Sequence, residues 1–114
     1  MQSKEIKLDL GYVSLAGPEH DLKELGTEKL SEVLIPGPLD HILIYIRYCL
    51  GSPTKFKLRP DSPSLGLTRE EIIRGVVHMY NQKYRIHMHE LGDLILSTGY
   101  YGPVSHEMTL GIDS

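Results

Sequence analysis

Residues 67–84 read LTREEIIRGVVHMYNQKY, and the rest of the chain is organised around this stretch. Thr68 followed three residues later by Glu71 is a capping box. The hydroxyl can accept from the Glu71 amide while the carboxylate reaches back to the Thr68 amide. Leu67 and Ile72 occupy the two positions of a hydrophobic staple. Ile72, Ile73, Val76, Val77, Tyr80 and Tyr84 then trace one helical face. The spacing predicts a helix over about Thr68 to Tyr84. Gly75 lies off that face, where a small residue permits close packing at a cost of roughly 1 kcal/mol against alanine.

Downstream, Met88 to Ile95 reads as a short second helix with Leu91, Leu94 and Ile95 inward. Leu96 to Tyr101, a turn at Gly102-Pro103, and His106 to Ile112 read as a closing hairpin. Upstream, Pro60 to Gly66 is a loop carrying two prolines and two serines. Thr54 to Arg59 alternates Phe56 and Leu58 with Lys55, Lys57 and Arg59, the pattern of a short strand. Leu39 to Leu50 fits either state. Its β-branched and aromatic content suits a strand, but its length and Pro38 at a first helical turn favour a helix. Asp21 to Leu34 has helical spacing at Leu22, Leu25, Leu30, Val33 and Leu34, with Gly26 as a point where it can divide. Lys4 to Leu15 alternates Ile6, Leu8, Leu10 and Tyr12 against Lys7, Asp9 and Gly11, a half-buried strand.

The expected fold is therefore α+β: one domain over residues 1–114, with helices packed on a short antiparallel sheet and a C-terminal hairpin. A helix, a strand, two more helices and a two-stranded wing also make up the element order of a winged-helix domain. Order alone would not decide function.

Composition narrows the possibilities. Twelve Lys and Arg against fifteen Asp and Glu give a net charge of −3, which argues against capture by nucleic acid or anionic lipid through bulk charge. Cys49 is the one cysteine, so no intrachain disulfide can form. In its apolar run it reads as a buried thiol in a reducing, intracellular setting, cytoplasmic or nuclear. No apolar h-region opens the chain, and Ile42 to Ile46 is far too short to cross a bilayer. No membrane partner is expected.

Candidate chemistry is sparse. His87 and His89, with His78 or Glu90, invite a metal reading. The spacing is not the i, i+4 pair that a metal-binding helix needs, and no metal or other cofactor is expected. No nucleophile elbow and no phosphate loop is present. Cys49 in an apolar segment would be inert, and Glu70-Glu71 are accounted for by a helix N-terminus. No catalytic residue is assigned. Ser52-Pro53 and Ser62-Pro63 are explained by turn preferences. Two surfaces remain. Tyr100 and Tyr101, at the expected hairpin tip, have the character of interface anchors. Lys55, Lys57 and Arg59, with Lys83 and Arg85 near them, can track phosphates, although lysines on an edge strand also serve to block aggregation.

His89-Glu90-Leu91-Gly92-Asp93-Leu94-Ile95-Leu96, with Leu67-Thr68-Arg69-Glu70-Glu71 before it and Leu110-Gly111-Ile112-Asp113-Ser114 at the end, resembles small uncharacterised proteins of large DNA viruses, with similar sequences in plants. Those have a capped helix, a Gly-x-x-x-His-x-Leu-x-Asp-Leu segment and a terminal hairpin. This chain departs at Tyr84 to Met88, where that group has a Gly- and Trp-containing stretch. The resemblance covers the C-terminal half. It implies no activity, and it implies an intracellular viral or host-mimicking protein.

The sequence thus points to a non-catalytic protein-interaction or structural domain that binds a protein partner or a second copy of itself through Tyr100 and Tyr101. The alternative is a winged-helix-like nucleic-acid binder using Lys55, Lys57, Arg59, Lys83 and Arg85.

Overall fold

The computed structural model describes residues 5–46, 54–84 and 94–113, with backbone alone at 83–84. Among the described residues, seven strands and two helices run in the order β1 (Ile6–Ser14), α1 (Glu19–Leu30), β2 (Val33–Pro36), β3 (Ile42–Ile46), β4 (Thr54–Leu58), β5 (Gly66–Thr68), α2 (Arg69–Tyr84), β6 (Ile95–Gly102) and β7 (Glu107–Asp113). The class is α+β. Five strands form one sheet in the order β1-β6-β7-β3-β4, and β2 and β5 form a small second sheet. The main sheet is mixed rather than purely antiparallel, because β3 and β7 run parallel.

The helix foreseen at residues 68–84 is α2. Its capping box is made in both directions: the Thr68 amide donates to Glu71 Oε1 at 2.9 Å, and the Glu71 amide donates to Thr68 Oγ1 at 3.2 Å. The second Glu71 oxygen accepts the Asp61 amide at 2.7 Å, tying the preceding loop to the helix start. Ile72, Ile73, Val76 and Tyr80 are fully buried beneath the sheet, and Leu67 joins them. Gly75 meets β4 closely; a Cβ there would stand 2.8 Å from Leu58 Cδ1.

Of the stretch Leu39 to Leu50, the described part, residues 39–46, is not a helix. Ile42 to Ile46 is β3, with Ile42, Ile44 and Ile46 completely buried and Leu43 and Tyr45 on the opposite face. Leu43 and Tyr45, on the face turned away from the core, are themselves apolar and aromatic, and that hides the period of two. The first helix is also shorter than its pattern suggested. Gly26 takes φ 87 and ψ 156 and interrupts it, and Val33 and Leu34 belong to β2.

β1 carries a change of phase. Leu8 and Leu10 face the core as expected, but so do Val13 and Leu15, while Tyr12 is 72% exposed. The register against β6 shifts between Asp9 and Val13. At this bulge Gly11 adopts φ +76, and its amide donates to Asp9 Oδ1 at 2.9 Å.

The closing hairpin is β6 and β7, but it is not a wing. It lies in the middle of the sheet, with β1 on one side and β3 on the other. Where a helix was expected from Leu39, strand β3 lies instead, paired with the expected strand β4. The winged-helix expectation is therefore corrected. The helix expected at Met88 to Ile95 falls largely outside the described residues, and Ile95 itself begins β6.

Candidate protein-binding face

α1 and α2 lie against the same side of the sheet, which gathers Leu8, Leu10, Ile42, Ile44, Leu96 and Met108 with the α2 face into one core. The side chains that point the other way have no helix over them among the described residues. Strand register places them in rows. Lys7 pairs with Tyr100 and Tyr100 with Thr109 across β1, β6 and β7, and Asp9 pairs with Thr98 one step along. Tyr45 pairs with Lys55, and Leu43 pairs with Lys57, across β3 and β4.

The middle of this face is linked by specific contacts. The Tyr45 hydroxyl donates to Glu107 Oε2 at 2.9 Å, and Lys55 Nζ stands 5.8 Å from the Tyr45 ring centre. Ammonium, aromatic face and carboxylate thus run in line across β4, β3 and β7. Accepting this bond raises the cost of phenolate formation, so the Glu107 carboxylate holds the Tyr45 hydroxyl above its ordinary pKa.

Tyr101 does not share the exposure expected for it. It is 5% exposed and faces the core. Its hydroxyl is hydrogen-bonded to His106 Nδ1 at 2.9 Å, and burial pushes its pKa up. Alternation along β6 makes this unavoidable: two consecutive residues cannot both face outward. Tyr100 is the outward member, half-buried between Lys7 and Thr109. His106 closes the turn, with φ 58 and its amide on the Gly102 carbonyl at 2.8 Å.

Lys55, Lys57 and Arg59 are all exposed on one side of the β4 segment, as their alternation foretold. Arg59 and Lys57 act electrostatically on Asp40. Its carboxylate accepts from His41 Nδ1 at 2.6 Å, and it is held below the usual carboxylate range first by that bond and then by Arg59 and Lys57. Arg85 and the Lys83 side chain lie outside the described residues, as do His87, His89, Glu90, Cys49 and Ser52-Pro53. His78 is exposed on α2, in the groove that also carries Arg74 and Asn81. Among the described residues no three His, Cys, Asp or Glu side chains gather as a metal site, and no helix is long and apolar enough to cross a membrane.

One residue gains a role that the sequence did not signal. Arg69 is 5% exposed. Its Nε donates to the Asp9 carbonyl at 2.8 Å, and its Nη1 donates to the Lys29 carbonyl at 2.6 Å and to Glu32 Oε1 at 3.0 Å. It joins β1, the end of α1 and the start of β2. An arginine in the first turn of a helix normally reads as solvent-facing, and only the packing of three elements around it shows otherwise.

Comparison with protein-family models, curated proteins and solved structures gives no match to this chain.

Proposed function

We propose that this chain is a non-catalytic domain that binds a protein partner, with the helix-free side of its main sheet as the contact surface. The observation that carries this reading is the one-sided cover of the sheet. Both helices pack on one side, and the other presents Tyr100, Tyr45, Lys7, Lys55 and Lys57 in register. Tyrosines among charged and hydroxyl side chains supply large contact area at low entropy cost, the character of interface anchors. No nucleophile, base and orienting acid are grouped among the described residues, and the titratable contacts there are local pairs such as His20–Glu24 and Asp40–His41. A second copy of the chain is the special case of a protein partner.

The test is selection of a displayed random-peptide library on the wild-type domain and on a Tyr45→Ala/Tyr100→Ala variant, with light scattering over a wide concentration range. Enrichment on the wild type that the double variant loses, or self-association that it loses, is expected. A strict monomer that enriches nothing, or enriches equally with both tyrosines removed, overturns the reading.

Lys55 and Lys57 on β4, with Arg59 just past its end, favour one second reading, a nucleic-acid contact. Carboxylates stand close to them, at Asp40 beside Arg59 and at Glu107 behind Tyr45, and these would repel phosphate. A salt titration of oligonucleotide binding decides it, since phosphate neutralisation must give a steep loss of affinity with salt.

A further inference from the structure

The two edges of the main sheet differ in how their backbone is treated. β1, at one edge, has its backbone occupied by side chains. The Asp9 carbonyl accepts from Arg69 Nε, the Gly11 amide donates to Asp9 Oδ1, and the Ser14 amide donates to Asp21 Oδ2 at 2.9 Å. The bulge at Gly11 breaks its register as well. From Asp9 to Ser14 this edge offers no regular ladder to a further strand. β4, at the other edge, pairs with β3 over all five of its residues without a bulge. Among the described residues, no strand pairs with its other side and no side chain bonds to its backbone.

The side chains of β4 say what can approach. Lys55, Lys57 and Arg59 stand exposed on one face. Phe56 and Leu58 are half-buried on the other, packed against the core. A second copy of β4 would bring lysines opposite lysines, so this edge rejects itself. Same-face residues on any strand recur about every 6.7 Å. A strand with acidic residues at alternate positions would therefore place its carboxylates in step with the three cations. Its other side chains would extend the apolar layer over Phe56 and Leu58.

We infer that β4 is the docking edge of this domain and that its partner is an extended peptide segment alternating acidic and apolar residues, added as a sixth strand. This rests on the reading of the chain as a protein-binding domain and names the edge and the partner's chemistry. The free ladder supplies affinity through backbone bonds, and the cations supply selection and register. Nucleic acid can satisfy the cations, but it does not present the alternating N–H and C=O groups at strand spacing that pair with an open edge.

The probe is a capped hexapeptide alternating glutamate and valine, titrated into the full chain at low salt and followed by backbone amide spectra. Controls are the same peptide N-methylated at alternate residues, a lysine–valine counterpart, and a single-stranded oligonucleotide. Saturable shifts centred on Thr54 to Arg59, weakened about tenfold or more by N-methylation and by added salt, are expected. The variant Lys55→Glu/Lys57→Glu/Arg59→Glu is expected to lose the glutamate peptide and take the lysine one. Lys55→Gln/Lys57→Gln/Arg59→Gln supplies a gentler loss should charge reversal perturb folding. Shifts centred on Tyr100 and Thr109 overturn the edge assignment and leave the binding-domain reading standing. β4 shifts with the oligonucleotide but not the peptide overturn both. No shift with either probe overturns the edge assignment alone, the wider reading being decided by the library selection.

Discussion

β1 and β4 close the same sheet on opposite sides, and they solve the edge problem by different physics. At β1 the solution is saturation: side chains from α1, α2 and the strand itself occupy backbone groups, and a bulge disturbs the ladder. At β4 it is charge: a regular ladder is left open, and cations select what comes near. Saturation makes an edge part of the fold, with stability depending on it. Charge leaves stability almost untouched and governs association instead. The difference can be attacked from either side.

The largest effect is expected at Arg69. Arg69→Met keeps the buried stem and removes three hydrogen bonds that join β1, α1 and β2. A loss of roughly 2–4 kcal/mol follows from charge-assisted bonds removed at a buried site. Chemical denaturation measures it; a change under about 0.5 kcal/mol would show that the clamp is ornamental to the fold. Asp21→Ala removes the acceptor of the Ser14 amide and one acidic charge from the first turn of α1. It should cost about 1 kcal/mol and speed hydrogen exchange at that amide. Unchanged exchange there would mean the β1 edge is closed by other means.

At β4 the expected order reverses. Lys55→Thr/Lys57→Thr/Arg59→Thr should move stability by no more than about 0.5 kcal/mol, because these side chains are exposed. The same change should make the domain associate with rising concentration, since a regular open strand has lost its charges. A variant that stays monomeric by light scattering would remove charge as the guard of this edge.

The smallest effect concerns two tyrosines. Tyr101, on β6 beside β1, and Tyr45, on β3 beside β4, both have hydroxyls whose pKa is raised above the ordinary 10.0. A raised folded pKa means the folded state holds the proton more tightly. The contribution is complete below pH about 10 and is lost as pH climbs through the folded values. Phenolate absorbance should show Tyr45 and Tyr101 among the late-titrating tyrosines. Tyr101→Phe should remove one of them, and Glu107→Gln should return Tyr45 towards its ordinary value.

Reading β1 and β4 from sequence succeeded in proportion to how local their causes are. The alternation of Thr54 to Arg59 is a property of six consecutive residues, and it reappears as an exposed basic row. The capping box and staple at Leu67 to Ile72 are equally local. β1 was legible to Asp9 and then misread, because its phase change depends on Gly11 at positive φ and on the Asp9 side chain turning back to it. Leu39 to Leu50 misled for a different reason. Its outward residues, Leu43 and Tyr45, are apolar or aromatic, so period two left no polar trace. The same parity rule, applied to Tyr100-Tyr101, would have shown that only one of the pair can face out.

The sequence by itself determined the α+β class, the long capped helix, the terminal hairpin and the basic row, because each follows from contacts within a few residues. Only the tertiary structure decided that the hairpin lies at the centre of the sheet, that Arg69 is a buried clamp and that one edge is sealed while the other is open. Those outcomes depend on which distant segments are brought side by side, as with Asp9 and Arg69, 60 positions apart. Periodicity reports the face a residue prefers, and it carries no information about the neighbour that will cover it.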